Sequence, residues 1–292
     1  MKHVERRDFR LSRNPRRNVR VNEEQQMKIL WQNISTRDIP GIPDADIMWN
    51  AMSEHIINMS FSETTIEFGY LSSASYFVAS KYMELLNTVH ILDELIRREA
   101  KGYDAAIIGC FNDPGLWEAR ESLSIPVIGV GESAMMLACM IGRNFGIVTV
   151  RKKLIPVIED VILRYGLESR MIHNAPIRSC ELDEKRYPAM FANPAEIAIP
   201  PFEKQALALA EDGAEVVIAG CASLGPALSR AGYNKVAGTR IPVINATAVA
   251  VKFAEALGYL NRGLGISTSK ALKYQSLPKS IVDGIRKSHG FT

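Results

Sequence analysis

From residue 27 onward, short apolar runs rich in β-branched and aromatic residues alternate with longer segments of helical periodicity. The short runs predict strands at Lys28 to Asn33, Thr64 to Leu71, Ala105 to Gly109, Val127 to Val130, Phe145 to Val150, Met171 to Asn174, Glu215 to Gly220 and Ile241 to Asn245. Between them, helices are expected over Ala45 to Met59, from about Val78 to Ala100, from an Asp113-Pro114 start, and over Glu132 to Ile141. Further helices are expected over Leu154 to Tyr165, Ile199 to Glu211 and Ala246 to Leu260. Ser35 to Pro43 reads as loop, with Pro40, Gly41 and Pro43 as breakers, and the residues after Leu260 read as a basic, loop-rich tail. Strands and helices taking turns at this spacing predict parallel α/β units.

Two of the strands end alike, in Asp104-Ala-Ala-Ile-Ile-Gly-Cys and Glu215-Val-Val-Ile-Ala-Gly-Cys. After each thiol the chain runs through a helical stretch to a second matching strand, Ile125-Pro-Val-Ile-Gly and Ile241-Pro-Val-Ile-Asn. One half-domain used twice accounts for this. The fold expected is therefore two pseudo-symmetric, Rossmann-like half-domains, 27–144 with Cys110 and 145–275 with Cys221, with residues 276–292 as a tail able to pack back on the first half. The carboxyl ends of parallel strands are where open α/β folds build their sites. Two facing halves would bring Cys110 and Cys221 to opposite walls of one cleft, the arrangement needed to take a proton from one face of a carbon and return it to the other.

Charge changes the picture only at the amino end. Lys2 and seven arginines stand against Glu5 and Asp8 within the first twenty residues, a local charge of +6 in a chain whose total is +3. Residues 1–26 are thus expected to form a disordered or oligomer-contacting arm with no chemistry of its own. No apolar run approaches the roughly 18 residues of a membrane span, and no apolar core of a secretion signal follows the arginines. A cytoplasmic chain with four free thiols is expected, in a homo-oligomer acting on a small molecule rather than on nucleic acid or membrane. The cysteines Cys110, Cys139, Cys180 and Cys221 show no CxxC pair and no His at metal spacing. Cys139 falls in mid-helix and reads as core, and Cys180 falls in a loop-like stretch.

A proton α to a carbonyl is weakly acidic, so its removal needs a positioned base and a stabilised enolate oxygen. A thiolate can be that base, and a helix amino end lowers a thiol pKa from about 8.5. Both thiols are expected to precede such an end, the first at Asp113-Pro114, which suits an N-cap and first helical position. Asn33, Asn112, Thr149 and Ser223 are short polar residues at strand ends, where each can bond substrate or simply cap a turn. No metal or organic cofactor is called for. Gly129-Val-Gly-Glu-Ser-Ala has the G-x-G-x-x-A form of a dinucleotide site, but no acid for the ribose follows about twenty residues on, so the glycines are read as close packing.

Gly109-Cys-Phe-Asn-Asp-Pro-Gly-Leu, Ile125-Pro-Val-Ile-Gly-Val-Gly-Glu-Ser-Ala-Met, Phe145-Gly-Ile-Val-Thr, Gly220-Cys221 and Gly263-Leu-Gly-Ile-Ser-Thr-Ser-Lys together resemble the aspartate/glutamate/hydantoin racemase superfamily, closest to its hydantoin and allantoin racemases. The resemblance covers roughly residues 27 to 275. It implies a cofactor-free racemase or epimerase whose Cys110 and Cys221 act as opposed acid and base on a hydantoin or related amino-acid derivative. It also matches Asn33 to a first-strand asparagine and Thr149 to a threonine near the substrate. Gly220-Cys-Ala-Ser-Leu-Gly-Pro departs from the family's usual Gly-Cys-Ala-Gly-Met, and Trp31-Gln-Asn from Asn-Pro-Asn, which bears on the substrate rather than on the two-thiol chemistry. The alternatives are a maleate-type cis-trans isomerase or a decarboxylase of the same fold, and a non-catalytic protein that binds a small carboxylate between two lobes.

Overall fold

The computed structural model describes residues 26–39, 41–73 and 80–291. The Arg-rich arm except Gln26, Pro40 of the expected loop, and Val78 at the expected start of the second helix lie outside the described residues. Strands β1 (Met27–Gln32), β2 (Thr64–Gly69), β3 (Ala105–Ile108) and β4 (Val127–Gly129) form one parallel sheet in the order β2-β1-β3-β4. Strands β5 (Phe145–Thr149), β6 (Ile177–Ser179), β7 (Val216–Ala219) and β8 (Val243–Asn245) form a second in the order β6-β5-β7-β8. The two orders coincide when β1 is matched to β5, so the repeat around the Gly-Cys pairs extends to whole sheets. Strands β3 and β7 are buried along their whole length, which is why they read as unbroken apolar runs rather than alternating ones.

The helices are α1 (Ala45–Met59), α2 (Lys81–Glu99), α3 (Leu116–Ser122), α4 (Val130–Ile141), α5 (Ile155–Tyr165), α6 (Tyr187–Ala192), α7 (Pro194–Ile197), α8 (Ile199–Glu211), α9 (Leu224–Arg230), α10 (Ala246–Leu264) and α11 (Lys279–Ser288). Helix α1 illustrates the rule that forms them: Ala45, Met48, Trp49, Met52 and Ile56 recur at helical spacing and are its buried face. Two expectations need correction. The sixth strand lies at Ile177–Ser179 rather than at Met171 to Asn174, where Met171 makes only an isolated bridge to Phe145 before the chain breaks at Ala175, with φ 42°, and Pro176. The tail is not all loop, because Lys279–Ser288 is helical.

The halves are interlocked. Helix α1 packs against α6, and α10 crosses back onto β1, β3 and α4. Gly258 permits that approach, since a Cβ there would stand 2.7 Å from Met27 Sδ. Arg262 of α10 pairs with Asp104, and the Glu255 carboxylate accepts the Phe61 N–H at 2.7 Å. The tail follows the same path: Lys270 Nζ donates to the carbonyls of Glu121 and Leu123 at 2.9 and 2.7 Å, and Arg286 pairs with Asp93 of α2. A cut between residues 144 and 145 therefore separates the two sheets but not the helices that cover them.

Candidate active site

Each Gly-Cys pair follows a central strand, and the backbone turns in the same way at both. Gly109 N–H donates to Gln32 O at 2.9 Å and Gly220 N–H to Val148 O at 2.8 Å; Cys110 N–H donates to Ile108 O at 2.8 Å and Cys221 N–H to Ala219 O at 2.9 Å. The preceding glycines answer to the neighbouring strand. A Cβ on Gly109 would lie 2.7 Å from Trp31 Nε1, and one on Gly220 2.5 Å from Ile147 Cγ2, so a larger residue would push each thiol strand off its partner.

The two turns bring Cys110 and Cys221 to one cavity of about 80 Å³. Asn112 and Ser223, each two residues past its cysteine, also line it, and the backbone N–H of each hydrogen-bonds to its own thiol. Asn33 and Thr149 are placed differently. Both are buried at strand ends, but neither is among the lining residues: Asn33 donates to Gly69 O at 3.0 Å and accepts Trp31 Nε1–H at 3.0 Å, and the Thr149 hydroxyl donates to Gly220 O at 3.3 Å. Their side chains bond to backbone carbonyls at the strand ends.

Glu184 and Tyr187, which sequence reasoning passed over, complete the polar lining. They lie in the stretch from Cys180 to Asn193 that showed no strand and no long helix. A signal was present, since Tyr187-Pro188 opens α6 with Pro at its first turn and Asp183 caps the turn before it by accepting Lys185 N–H at 3.0 Å. Trp49 and Met52 of α1 add apolar wall from the first half of the chain, and the Ser223 hydroxyl lies 3.4 Å from Met52 Sδ.

Burial outweighs every other influence on the two thiols. It pushes Cys110 well above the ordinary thiol pKa, the Asn112 N–H opposing and the charges of Glu84, Cys221 and Asp113 adding to the rise. Burial raises Cys221 too, but against the N–H groups of Ser223 and Leu224 at the start of α9 and the hydroxyls of Tyr187, 3.9 Å from Sγ, and Ser223. Burial thus overrides the expected lowering of both thiols, and although Cys221 precedes α9 as expected, Cys110 has no helix end beside it. Helix α3 begins only at Leu116 after Gly115 in the left-handed region, so Cys110 does not stand at its amino end.

Asp113 does not cap α3 either. With φ 50° it turns its carboxylate onto α4, accepting Gly131 N–H at 2.9 Å, Glu132 N–H at 2.7 Å and the Tyr165 hydroxyl at 2.8 Å. This explains the dinucleotide-like glycines. A Cβ on Gly129 would stand 2.5 Å from Asp113 Cγ and one on Gly131 2.1 Å from Phe111 O, so the anion position at this helix end belongs to the chain's own carboxylate. Cys139 is half-buried on α4, and Cys180, just past β6, is pushed up to about 12 mainly by burial. Among the described residues, no group of three or more His, Cys, Asp or Glu is placed to hold a metal ion, and no helix is long and apolar enough to cross a membrane.

Known proteins are similar to this chain in sequence and in fold. The sequence model of the family described as Asp/Glu/Hydantoin racemase matches residues 47–254, which include both thiol strands and, apart from Ile34, the residues lining the cavity. The chain belongs to that family. A hydantoin racemase from Rhizobium meliloti is 36% identical over 195 residues, 65% of this chain and 73% of that protein. One from Pseudomonas sp. (strain NS671) is 33% identical over 214 residues, 73% of this chain and 80% of that protein. In three dimensions the chain is similar to an allantoin racemase from Pseudomonas fluorescens, with a TM-score of 0.69 at 26% identity over 87% of this chain and 98% of that one. An allantoin racemase from Klebsiella pneumoniae has the same fold, with a TM-score of 0.71 at 24% identity over 87% and 95% of the two chains. The Asp/Glu/hydantoin racemase family thus supplies the fold in which the two Gly-Cys turns face each other.

Proposed function

We propose that this member of the family is a cofactor-independent racemase acting on a 5-substituted hydantoin or a related amino-acid derivative, with Cys110 and Cys221 as its two acid–base groups. The observation that carries the reading is that both thiols, set on matching turns of the two sheets, line a single cavity. One cysteine, as thiolate, removes the proton from the carbon α to the carbonyl. The other, as thiol, delivers its own proton to the opposite face, leaving the protein with the roles exchanged and ready for the reverse hand. The Asn112 amide, and the Ser223 hydroxyl once turned from Met52 Sδ, are the short donors that would meet a carbonyl oxygen as negative charge builds on it. The hydantoin racemases similar in sequence support the substrate class.

The test is loss of optical rotation from single-enantiomer 5-substituted hydantoins above the uncatalysed rate. Cys110→Ala and Cys221→Ala are each expected to lower racemisation by at least about 10²-fold, the lower end of what a general acid or base contributes. Cys139→Ala and Cys180→Ala are expected to leave it within a few fold. Full turnover by either of the first two variants would refute the two-thiol assignment.

A further inference from the structure

The cavity walls carry a selection rule that the thiols do not explain. Six of the lining side chains, Ile34, Trp49, Met52, Phe111, Val150 and Leu154, are hydrocarbon or largely so, and among the described lining residues none is Lys or Arg. A free amino-acid carboxylate would enter with no cation to meet it, and burying an unpaired anion costs several kcal/mol. Apart from the two thiols, the one charged residue among the described lining residues is an acid, Glu184, only 3% exposed. It is fixed at the head of the turn capped by Asp183, and its carboxylate pairs with Arg151, which is not among the lining residues. The cavity therefore meets the anionic member of that pair.

We propose that Glu184 is a specificity-determining residue: its carboxylate accepts a ring N–H of a neutral cyclic ureide while the apolar walls hold the ring's hydrocarbon substituent, so the site selects neutral hydantoins with apolar side chains over anionic substrates. The proposal rests on the racemase reading for its chemistry but not for its recognition. An anionic substituent is opposed twice, by the hydrocarbon walls and by the Glu184 charge. A ring N–H is favoured because a bond to a charged acceptor is stronger than one between neutral groups.

The experiment compares 5-benzylhydantoin, its 1-methyl and 3-methyl derivatives, and 5-carboxymethylhydantoin, by turnover and by calorimetric binding to the full chain. Wild-type protein should favour benzyl over carboxymethyl by at least about 100-fold, the scale of a buried like-charge clash. Methylation of one ring nitrogen should cost about 10- to 100-fold, as for a lost bond to a charged group. In Glu184→Ala the parent compound should fall by a similar factor, and the methylated and parent compounds should come within about 3-fold of each other, because the bond that told them apart is gone. Glu184→Gln keeps the side-chain shape should the alanine variant fail to fold, and it should narrow the preference for benzyl over carboxymethyl. A methylation penalty unchanged in Glu184→Ala, a benzyl-over-carboxymethyl preference unchanged in Glu184→Gln, or equal handling of benzyl and carboxymethyl by wild type, would overturn the proposal. Binding that shows the expected penalties without any racemisation would sustain the recognition and refute the racemase reading instead.

Discussion

Cys110 and Cys221 share a backbone conformation but differ in what surrounds the sulfur. Cys221 receives two backbone N–H groups and two hydroxyls, whereas Cys110 receives the Asn112 N–H and faces Glu84 and Asp113, with Glu84 holding the Asn112 amide at 3.4 Å. Donors favour a thiolate and neighbouring carboxylates oppose it. Of the two thiols, Cys221 is therefore expected to give up its proton first. Iodoacetamide followed by peptide mass mapping should modify Cys221 before Cys110. Exposure favours the same order, so Tyr187→Phe provides the control: it should slow Cys221 alkylation by about 2- to 10-fold, the worth of one hydrogen bond, without slowing Cys110. Modification of Cys110 first would reverse the assignment. Since burial raises both thiols, kcat/KM should climb with pH through a limb lying above the ordinary thiol range before the second proton is lost. The thiols themselves were legible in the sequence because each stands in a duplicated frame. Asn33 and Thr149 looked equivalent to Asn112 and Ser223, as all four are short polar residues at strand ends. What separates them is that Asn33 and Thr149 bond to backbone carbonyls of neighbouring strand ends, Gly69 O and Gly220 O, and strand periodicity carries no record of those partners.

At the level of elements, the turn after Cys110 is held by groups distant in sequence. Asp113 ties it to the amino end of α4 and, through Tyr165, to α5. Burial is the main cause that raises this carboxyl from 3.8 to about 7, against the pull of the Gly131 and Glu132 N–H groups and the Tyr165 hydroxyl. Between those values the folded chain keeps a proton that the unfolded chain has lost, so the group's contribution to stability is full below about pH 4 and declines as pH rises towards 7. Denaturant unfolding of wild type and Asp113→Asn should accordingly show the wild-type advantage shrinking over that range, and an advantage that grew with pH would contradict the burial argument. At the other end of α3, Lys270 places its ammonium on the carbonyls of Glu121 and Leu123. Lys270→Met keeps the apolar stem and removes those bonds, and is expected to cost about 1–3 kcal/mol in the same unfolding measurement. Local signals found most elements but misplaced the Asp113 cap, because Asp-Pro read along the chain favours the next helix and says nothing of α4 lying beside it. The sixth strand slipped for a related reason, as three residues after a proline leave too short a pattern to distinguish from the apolar Met171-Ile172 before it.

Over the whole molecule, the repeat generates the site and the exchanged helices lock it. Helix α1 reaches the second sheet, where His55 lies 2.8 Å from Asn245 and Glu54 pairs with Arg230, while α10 and the tail return to the first. Hydrophobic periodicity announced that these helices bury a face. It could not say against which sheet, so the crossing was invisible until the fold was assembled. The basic arm contains neither Gly-Cys pair nor any of the strand-end groups proposed for catalysis, and removing residues 1 to 24 is expected to leave turnover per folded molecule unchanged, checked by assaying truncated and full chains at equal folded concentration. The pseudo-twofold relation between the two Gly-Cys turns leads to a sharper expectation, because each thiol should serve one face of the substrate carbon. In deuterium oxide each enantiomer should first yield deuterated product of opposite hand, with little deuterium in the recovered starting isomer, since the group that removes the proton is not the one that supplies the new one. A single variant loses inversion but keeps one thiolate, which can remove and return a proton on its own face. Cys110→Ala and Cys221→Ala should then exchange the α-proton of opposite enantiomers, followed by proton NMR of each pure isomer. If both variants exchange the same enantiomer equally well, or if product retains the substrate's hydrogen, the two turns do not serve opposite faces and one base does the work of both.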